Sequence, residues 1–434
     1  MTKVDSEQLN LLPENSVLLP NLMGSPSDVA KSWDSNEPII ALIANGGDPK
    51  WARWSIIAPA TGRRLTLGDS DTLIQLRERI ESKNSVSLLP NWIGYIGYEF
   101  GLVTEPNIAS IEKNEWPLID LVWVDNALIH DNLTNKWWSV GDVKVPEIIN
   151  KEDSLLTCSE LHDSSGNSAF VSSVQKTIDY IHAGDIFQAN ITRRFNAEIN
   201  GNIRNAALTL LGEHGGWFGA WIEFPDDGRF LLSMSPELFL KVNGESKEIV
   251  TRPMKGTRPE HDNPETLIGS EKDAAELHMI IDLMRNDLGR VCEFGSIEVS
   301  NSRKIERHPT VWQCVGEIHG LLRDEIDICD VLEATFPAGS ITGAPKIRAM
   351  QIIDELEDSP RGPYCGAIGI LGKSSMLSVG IRTALFSGNK DQTNFQGSMT
   401  YSTGCGIVAD SDPQLELEES EVKTHIISPL INKL

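Results

Sequence analysis

In the second half of the chain, apolar residues recur at helical spacing in a few stretches and alternate in most of the rest. In FVSSVQKTIDYIHAGD, Phe170, Val174, Ile178 and Ile181 fall on one side of a helix, and Gly184 ends the run. A long helix is predicted over 270–289 (SEKDAAELHMIIDLMRNDLG). Another is predicted over 345–358 (PKIRAMQIIDELED), with Pro345 at its first position, where a missing N–H costs nothing. The strand patterns are FQANITRRFNAEI, two strands within 229–242 joined at Ser235-Pro236, and YCGAIGILG, MLSVGIRTALF and TYSTGCGIVA after residue 364. A last helix begins at about 413. Before residue 150 the pattern changes to short strands with turns: PIIALIA (38–44), SLLPNWIGYIGYEFG (87–101) and DLVWVDNALIHD (120–131). Strand pairs separated by helices predict an α+β fold with antiparallel sheet. The polar, aperiodic stretch 151–168 sets an expected boundary near 165, dividing the 434 residues into 1–165 and 166–434.

Composition narrows the partners. The chain carries 38 Lys+Arg against 62 Asp+Glu, a formal net charge of −24. A surface that acidic repels phosphate backbones and anionic lipid, so nucleic acid and membrane are not expected partners. A small anionic substrate would have to be met by locally placed Arg or Lys, by backbone N–H groups or by a cation. The first residues (MTKVDSEQLNLLPENS) have no apolar core behind a basic region, and nowhere do about 18 apolar residues run together. The six cysteines (158, 292, 314, 329, 365, 405) contain no C-x-x-C pair, so neither a disulfide framework nor a zinc site is expected. A reduced, cytoplasmic setting is the expectation. Trp33, Trp51, Trp54, Trp92, Trp116, Trp123, Trp137 and Trp138 precede residue 150, and their density there predicts packing.

Two acidic pairs have the i, i+3 spacing that puts side chains on one helical face, Asp273/Glu276 and Glu416/Glu419. Brought together they would suit Mg²⁺; kept apart they are solvated surface. Lys255, in VTRPMKGTRP, lies between Arg252 and Arg258, and nearby cations favour a neutral, nucleophilic amine. The bland alternative is an exposed lysine before a Gly turn. Glu237 in SPELF is an ordinary strand glutamate unless it lines a cleft. Gly339–Lys346 lacks the Gly-Lys-Ser/Thr of a phosphate loop but offers backbone N–H groups ahead of a helix. Gly404 and Gly406 allow a carboxylate to approach backbone closely.

These pieces, in this order, resemble the chorismate-utilising enzymes: anthranilate synthase and aminodeoxychorismate synthase component I, and the isochorismate and salicylate synthases. The motifs that carry the resemblance are GDIFQANITRRF, SPELFL, RPMKGTRP, KDAAELHMIIDLMRNDLGRV, FPAGSITGAPKIRAMQIIDELE, RGPYCGAIG, IRTA and GCGIVADSDPQLELEES, spread over 168–430. GYIGYEFG matches the family's more variable N-terminal region. The resemblance implies two antiparallel sheets packed as a sandwich with helices outside, and a site between them.

It also implies roles. RPMKGTRP has Lys255 where anthranilate synthases have alanine, and such a lysine in aminodeoxychorismate synthases attacks ring C2 of chorismate. Gln188 stands where the water-using enzymes have a lysine base, so addition of water at C2 is disfavoured. Both point to chorismate and ammonia giving 4-amino-4-deoxychorismate, the precursor of 4-aminobenzoate and folate, with anthranilate synthase as the nearest competitor and a non-catalytic chorismate- or tryptophan-binding regulator as another. Glu276 and Glu419 would hold Mg²⁺, with Asp273 and Glu416 through water or behind them. Lys423, Gly404 and Gly406 would meet the ring carboxylate. Arg382 and Tyr364 would bind the enolpyruvyl carboxylate, Ser340 would contact substrate, and Glu237 would protonate the departing C4 hydroxyl. No cysteine-centred glutaminase motif is present, so ammonia is expected from a separate glutamine amidotransferase subunit in a heterodimer. Gln313 stands where anthranilate synthases have a histidine associated with pyruvate elimination, and Leu238 replaces the commoner arginine of SPERF. The LLES stretch of feedback-sensitive relatives is absent, so no inhibition by tryptophan is expected.

Overall fold

The computed structural model describes residues 11–80, 87–105, 115–148, 156–308 and 311–431. The alternating stretches become strands of two antiparallel sheets, of thirteen and ten strands. In the larger sheet, strands Ile39–Ile43, Trp54–Pro59 and Ala127–Asp131 from the early part continue into Phe218–Phe224, Arg229–Ser235, Thr383–Asp391, Asn394–Ile407 and Gln188–Gly201. The smaller sheet joins Asn91–Ile96 and Ile119–Val124 to Ala367–Leu371, Ser375–Val379, Leu238–Val242, Glu248–Arg252, Val311–Leu321 and Met254–Pro259. Strands from before and after residue 165 thus share both sheets.

The sheets face each other across one apolar layer. Ile40, Ile56, Ile222 and Leu231 of the larger meet Ile93, Tyr95, Val122, Ile368 and Ile370 of the smaller. Helices cover the outer faces. Glu271–Gly289 lays Leu277, Ile280, Ile281, Met284 and Leu288 on the smaller sheet. Asn167–Ala183 and Lys346–Leu356 lay Phe170, Val174, Ile178 and Ile352 on the larger, beside Ile191 and Cys405. Each such side chain, fully buried, contributes about 1.5–3 kcal/mol.

The caps follow the residue types. Ser270 accepts from the Asp273 N–H and starts the long helix. Gly184, at φ +84°, ends Asn167–Ala183 with its N–H on Ile181, as its lack of a Cβ allows. Pro345 departs from expectation: it precedes the helix, with ψ 139°, and Lys346 is the first helical residue. The cause lies just before it, where Gly343–Ala344 pairs with Gln188–Ala189 and keeps the chain extended. DLVWVDNALIHD divides at Asp125-Asn126, its two halves entering different sheets. The chain crosses between sheets again at Pro236–Glu237.

Two pairings position the site. Gln188–Gly201 runs antiparallel to Asn394–Ile407, setting Asn190 opposite Gly406 and Thr192 opposite Gly404. Met254–Pro259 pairs with Val311–Leu321, with a register shift between Met254 and Thr257 and Gly256 at φ +84°. The ladder therefore breaks at Lys255. All six cysteines are free and buried. Among the described residues no helix is long and apolar enough to cross a membrane.

Candidate active site

Glu237 sits where the chain leaves one sheet for the other, and it is buried. Burial raises its pKa to about 7, against the lowering effects of a Ser340 hydrogen bond, the Met254 N–H and the charges of Lys255 and Arg382. The Ser340 hydroxyl donates to Glu237 Oε1 at 2.6 Å. A carboxyl with a pKa near 7 can hold a proton at neutral pH and give it up. The sequence placed Ser340 against substrate; its partner in the structure is Glu237.

Lys255 Nζ lies 2.7 Å from Glu276 Oε2. Arg258 is bound to Asp273 at 3.0 Å, and Arg252 to Glu306 at 2.5 Å and Glu317 at 3.3 Å. Both flanking arginines are thus paired with carboxylates of their own, and the charge facing Lys255 is a carboxylate. The amine packs against Gly406, where a Cβ would run into Lys255 Nζ and come within 2.9 Å of Gln188 Nε2. Only glycine permits that approach. Gln188 is buried with neither amide atom hydrogen-bonded among the described residues, so its polar end is free to meet a ligand.

The second acidic pair lies at the other side of the same glycines. Lys423 Nζ reaches Glu419 at 2.7 Å and the Gly404 carbonyl at 2.7 Å. Glu416 is buried and accepts from Ser411 at 2.8 Å. Ligand atoms of Cys405, Glu416 and Glu419 lie within 4.8 Å of one another. Burial pushes the Cys405 thiol up to about 12, which leaves the carboxylates as donors. Oxygen donors of this kind fit a hard divalent cation. Lys255, paired with Glu276, and Lys423, paired with Glu419, both reach residues 404–406, while Glu276 and Asp273 lie outside the cluster of Cys405, Glu416 and Glu419.

Arg382 has φ +52°, and desolvation lowers its pKa from the usual arginine value, against the opposing charge of Glu237. Tyr364 is buried, which raises its phenol well above the usual value. The turns that carry them are tied together: Cys365 N–H donates to the Gly380 carbonyl and Gly380 N–H to that of Gly366, each at 2.8 Å. Gln313 is buried opposite Thr257, with Oε1 unpaired among the described residues. Leu238 packs with Trp51, Trp217 and Val250, a place where an arginine would bury charge among apolar groups.

Sequence reasoning missed His308. His308 is buried, stacks on Trp217 with ring centroids 4.4 Å apart, and has neither ring nitrogen paired among the described residues. Burial holds its pKa down to about 3. A cavity of about 210 Å³ lies elsewhere, lined by Lys50, Trp51, Lys241, Glu248 and His319 among others, and none of the expected site residues borders it.

Residues 46–429 match the family described as chorismate binding enzyme. The chain belongs to that family. Its relatives include anthranilate synthase component 1 of Aquifex aeolicus, 32% identical over 98% of this chain and 96% of the relative. Aminodeoxychorismate synthase component 1 of Escherichia coli is 35% identical over 92% of this chain and 89% of its own. Among solved structures, anthranilate synthase component I of Streptococcus pneumoniae superposes with a TM-score of 0.72 at 24% identity, covering 99% of this chain and 98% of that one. The menaquinone-specific isochorismate synthase of Escherichia coli gives 0.76 at 15% identity, covering 99% of both chains. These last two establish the fold: two antiparallel sheets with helices outside. The family establishes a chorismate-utilising enzyme of the anthranilate or aminodeoxychorismate synthase component I type.

Proposed function

We propose that this chain is the chorismate-aminating component of an aminodeoxychorismate synthase. It would take chorismate and ammonia to 4-amino-4-deoxychorismate and water, with ammonia supplied by a separate glutamine amidotransferase subunit. The observation that carries the reading is Lys255, whose amine projects from a break in its ladder to the face of Gly406, beside Gln188. Relatives of both names match the chain, so the product rests on this residue.

In this reading Lys255 leaves Glu276, passes its proton to solvent and attacks ring C2 as the neutral amine, while Glu237 gives its proton to the C4 hydroxyl, which departs as water. Ammonia then adds at C4, the C2–N bond to Lys255 breaks, and the enolpyruvyl group stays in place. Gln188 faces the incoming nucleophile. Arg382 and Tyr364 hold the enolpyruvyl carboxylate, Arg382 by a two-pronged contact. Lys423 and the backbone at Gly404 and Gly406 meet the ring carboxylate. Mg²⁺ would be held by Glu276 and Glu419, with Asp273 and Glu416 behind them, and would supply positive charge against that carboxylate.

Product chromatography with chorismate, ammonium and Mg²⁺ tests the proposal. The wild type should give the 4-amino product. Lys255→Ala should lose most of that product, with ammonia adding at C2 instead. Unchanged rate and product in the variant would show that Lys255 does not act on the ring. A wild type that makes anthranilate would place the chain with its other relatives.

A further inference from the structure

Arg361 lies between three segments that carry the site and touches each of them. Its guanidinium donates to the carbonyl of Ile341 at 2.8 Å and to that of Asn190 at 2.6 Å. Ile341 follows Ser340, which donates to Glu237, and Asn190 is two residues beyond Gln188. The remaining donors go to Glu357, at 2.8 Å from Nε and 2.7 Å from Nη2. Glu357 in turn accepts the Thr192 N–H at 2.8 Å. Three residues beyond Arg361 comes Tyr364.

Arg361 is itself held from the early part of the chain. Glu99 accepts the Arg361 N–H at 2.6 Å and the Gly362 N–H at 3.0 Å, one on each carboxylate oxygen. The Tyr98 N–H donates to the Gly362 carbonyl at 2.8 Å, and the Tyr98 ring covers the guanidinium at 4.4 Å. Arg361 is 4% and Glu99 5% exposed, so water cannot replace these partners. A planar fork of five donors can satisfy two carbonyls and a carboxylate at once; a lysine ammonium cannot span the same three directions.

We propose that Arg361 is a positioning residue for chorismate turnover, fixing the turn of Ser340, the strand of Gln188 and the turn of Tyr364 relative to one another, and that Glu99 fixes Arg361. The early part of the chain thereby takes part in the reaction without touching substrate. The inference rests on the reading of Glu237 as the acid, because Arg361 acts on it through Ser340.

The test is a kinetic cycle on chorismate consumption with Arg361→Lys, Ser340→Ala and the double variant, and with Glu99→Gln in place of Arg361→Lys as a milder probe. Arg361→Lys should lower kcat by roughly 10²-fold, the scale of a 1 Å misplacement, with KM changed far less. Because both residues act through Glu237, the double variant should be slower than either single by much less than the product of the two effects. A folded Arg361→Lys protein with wild-type kcat, or effects that multiply in the double variant, would overturn the proposal. Should Arg361→Lys not fold, the cycle of Glu99→Gln with Ser340→Ala carries the same two outcomes. Glu237→Gln separates the two ideas: wild-type turnover in that variant removes the acid, whatever the cycle gives.

Discussion

Cations crowd two places in this molecule and are used differently in each. Around Trp51, Arg252 lies 4.4 Å, Lys50 4.5 Å and Lys241 5.4 Å from the indole centroid. Carboxylates close the shell: Glu317 takes Lys50 at 2.8 Å and Arg252 at 3.3 Å, and His319 sits between Glu317 at 2.9 Å and Glu248 at 3.0 Å. Every cation there is gripped by an aromatic face, a carboxylate or both. Around Gly404–Gly406, by contrast, Lys255 and Lys423 each rest on one glutamate at 2.7 Å, against backbone with no side chain. Lys50 and Arg252, gripped by both an aromatic face and carboxylates, build structure; Lys255, facing one carboxylate, can change partners when a ligand arrives. That difference, more than cavity volume, separates scaffold from site, since the cavity of about 210 Å³ lies at the Trp51 end.

The comparison breaks first, if it breaks, at the acid. Glu237→Gln should lower turnover of chorismate by about 10²–10⁴-fold while the protein stays folded, measured by loss of chorismate absorbance. In the wild type, turnover should fall as pH rises above about 7, where Glu237 loses its proton. Next comes the metal. Glu276→Ala or Glu419→Ala should weaken Mg²⁺-dependent chorismate binding, read by calorimetry, by about 100-fold or more, beyond the loss that follows removal of an outer partner. Full binding in excess chelator would remove the metal from the account.

A smaller effect distinguishes the two ends by pH. Glu237 and Glu99 are raised by burial from 4.5 to about 7, so the stability they contribute is complete below pH 4.5 and is lost as pH rises through 7. His319, raised by its hydrogen bonds to Glu248 and Glu317 from 6.5 to about 9, contributes stability that is complete below 6.5 and lost through 9. Denaturation across pH 4–10 should show both declines, and His319→Gln should erase only the later one. The smallest expected effect is none at all: free tryptophan should not inhibit. Micromolar inhibition in a dose-response assay would mean that the Trp51 end has a ligand of its own.

Local signals carried much of this structure. Ser270, Gly184 and the alternation of FQANITRRF act over a few residues, and the observed cap, stop and strand follow from them. The i, i+4 contact of Glu419 and Lys423 is equally local. What could not be read was everything that depends on two distant segments. Ser340 lies 103 residues from Glu237, and no periodicity links them. The commitment of Arg258 and Arg252 to other carboxylates is likewise tertiary, as is the carboxylate that faces Lys255. Sheet membership was also hidden: Arg229–Ser235 and Leu238–Val242 are joined strands in sequence, yet belong to different layers.

The break in pairing between Met254 and Thr257 bears on how such an enzyme can change over generations. Side chain 255 projects from backbone whose hydrogen-bond register is set by its neighbours, so replacing it leaves the strand's ladder as it was. Exchanging Lys255 would instead be felt at Glu276, a buried carboxylate that would lose the cation it faces at 2.7 Å. If the proposed role of Lys255 holds, a lineage that changes this position must also settle the charge of Glu276, so the two positions would change together.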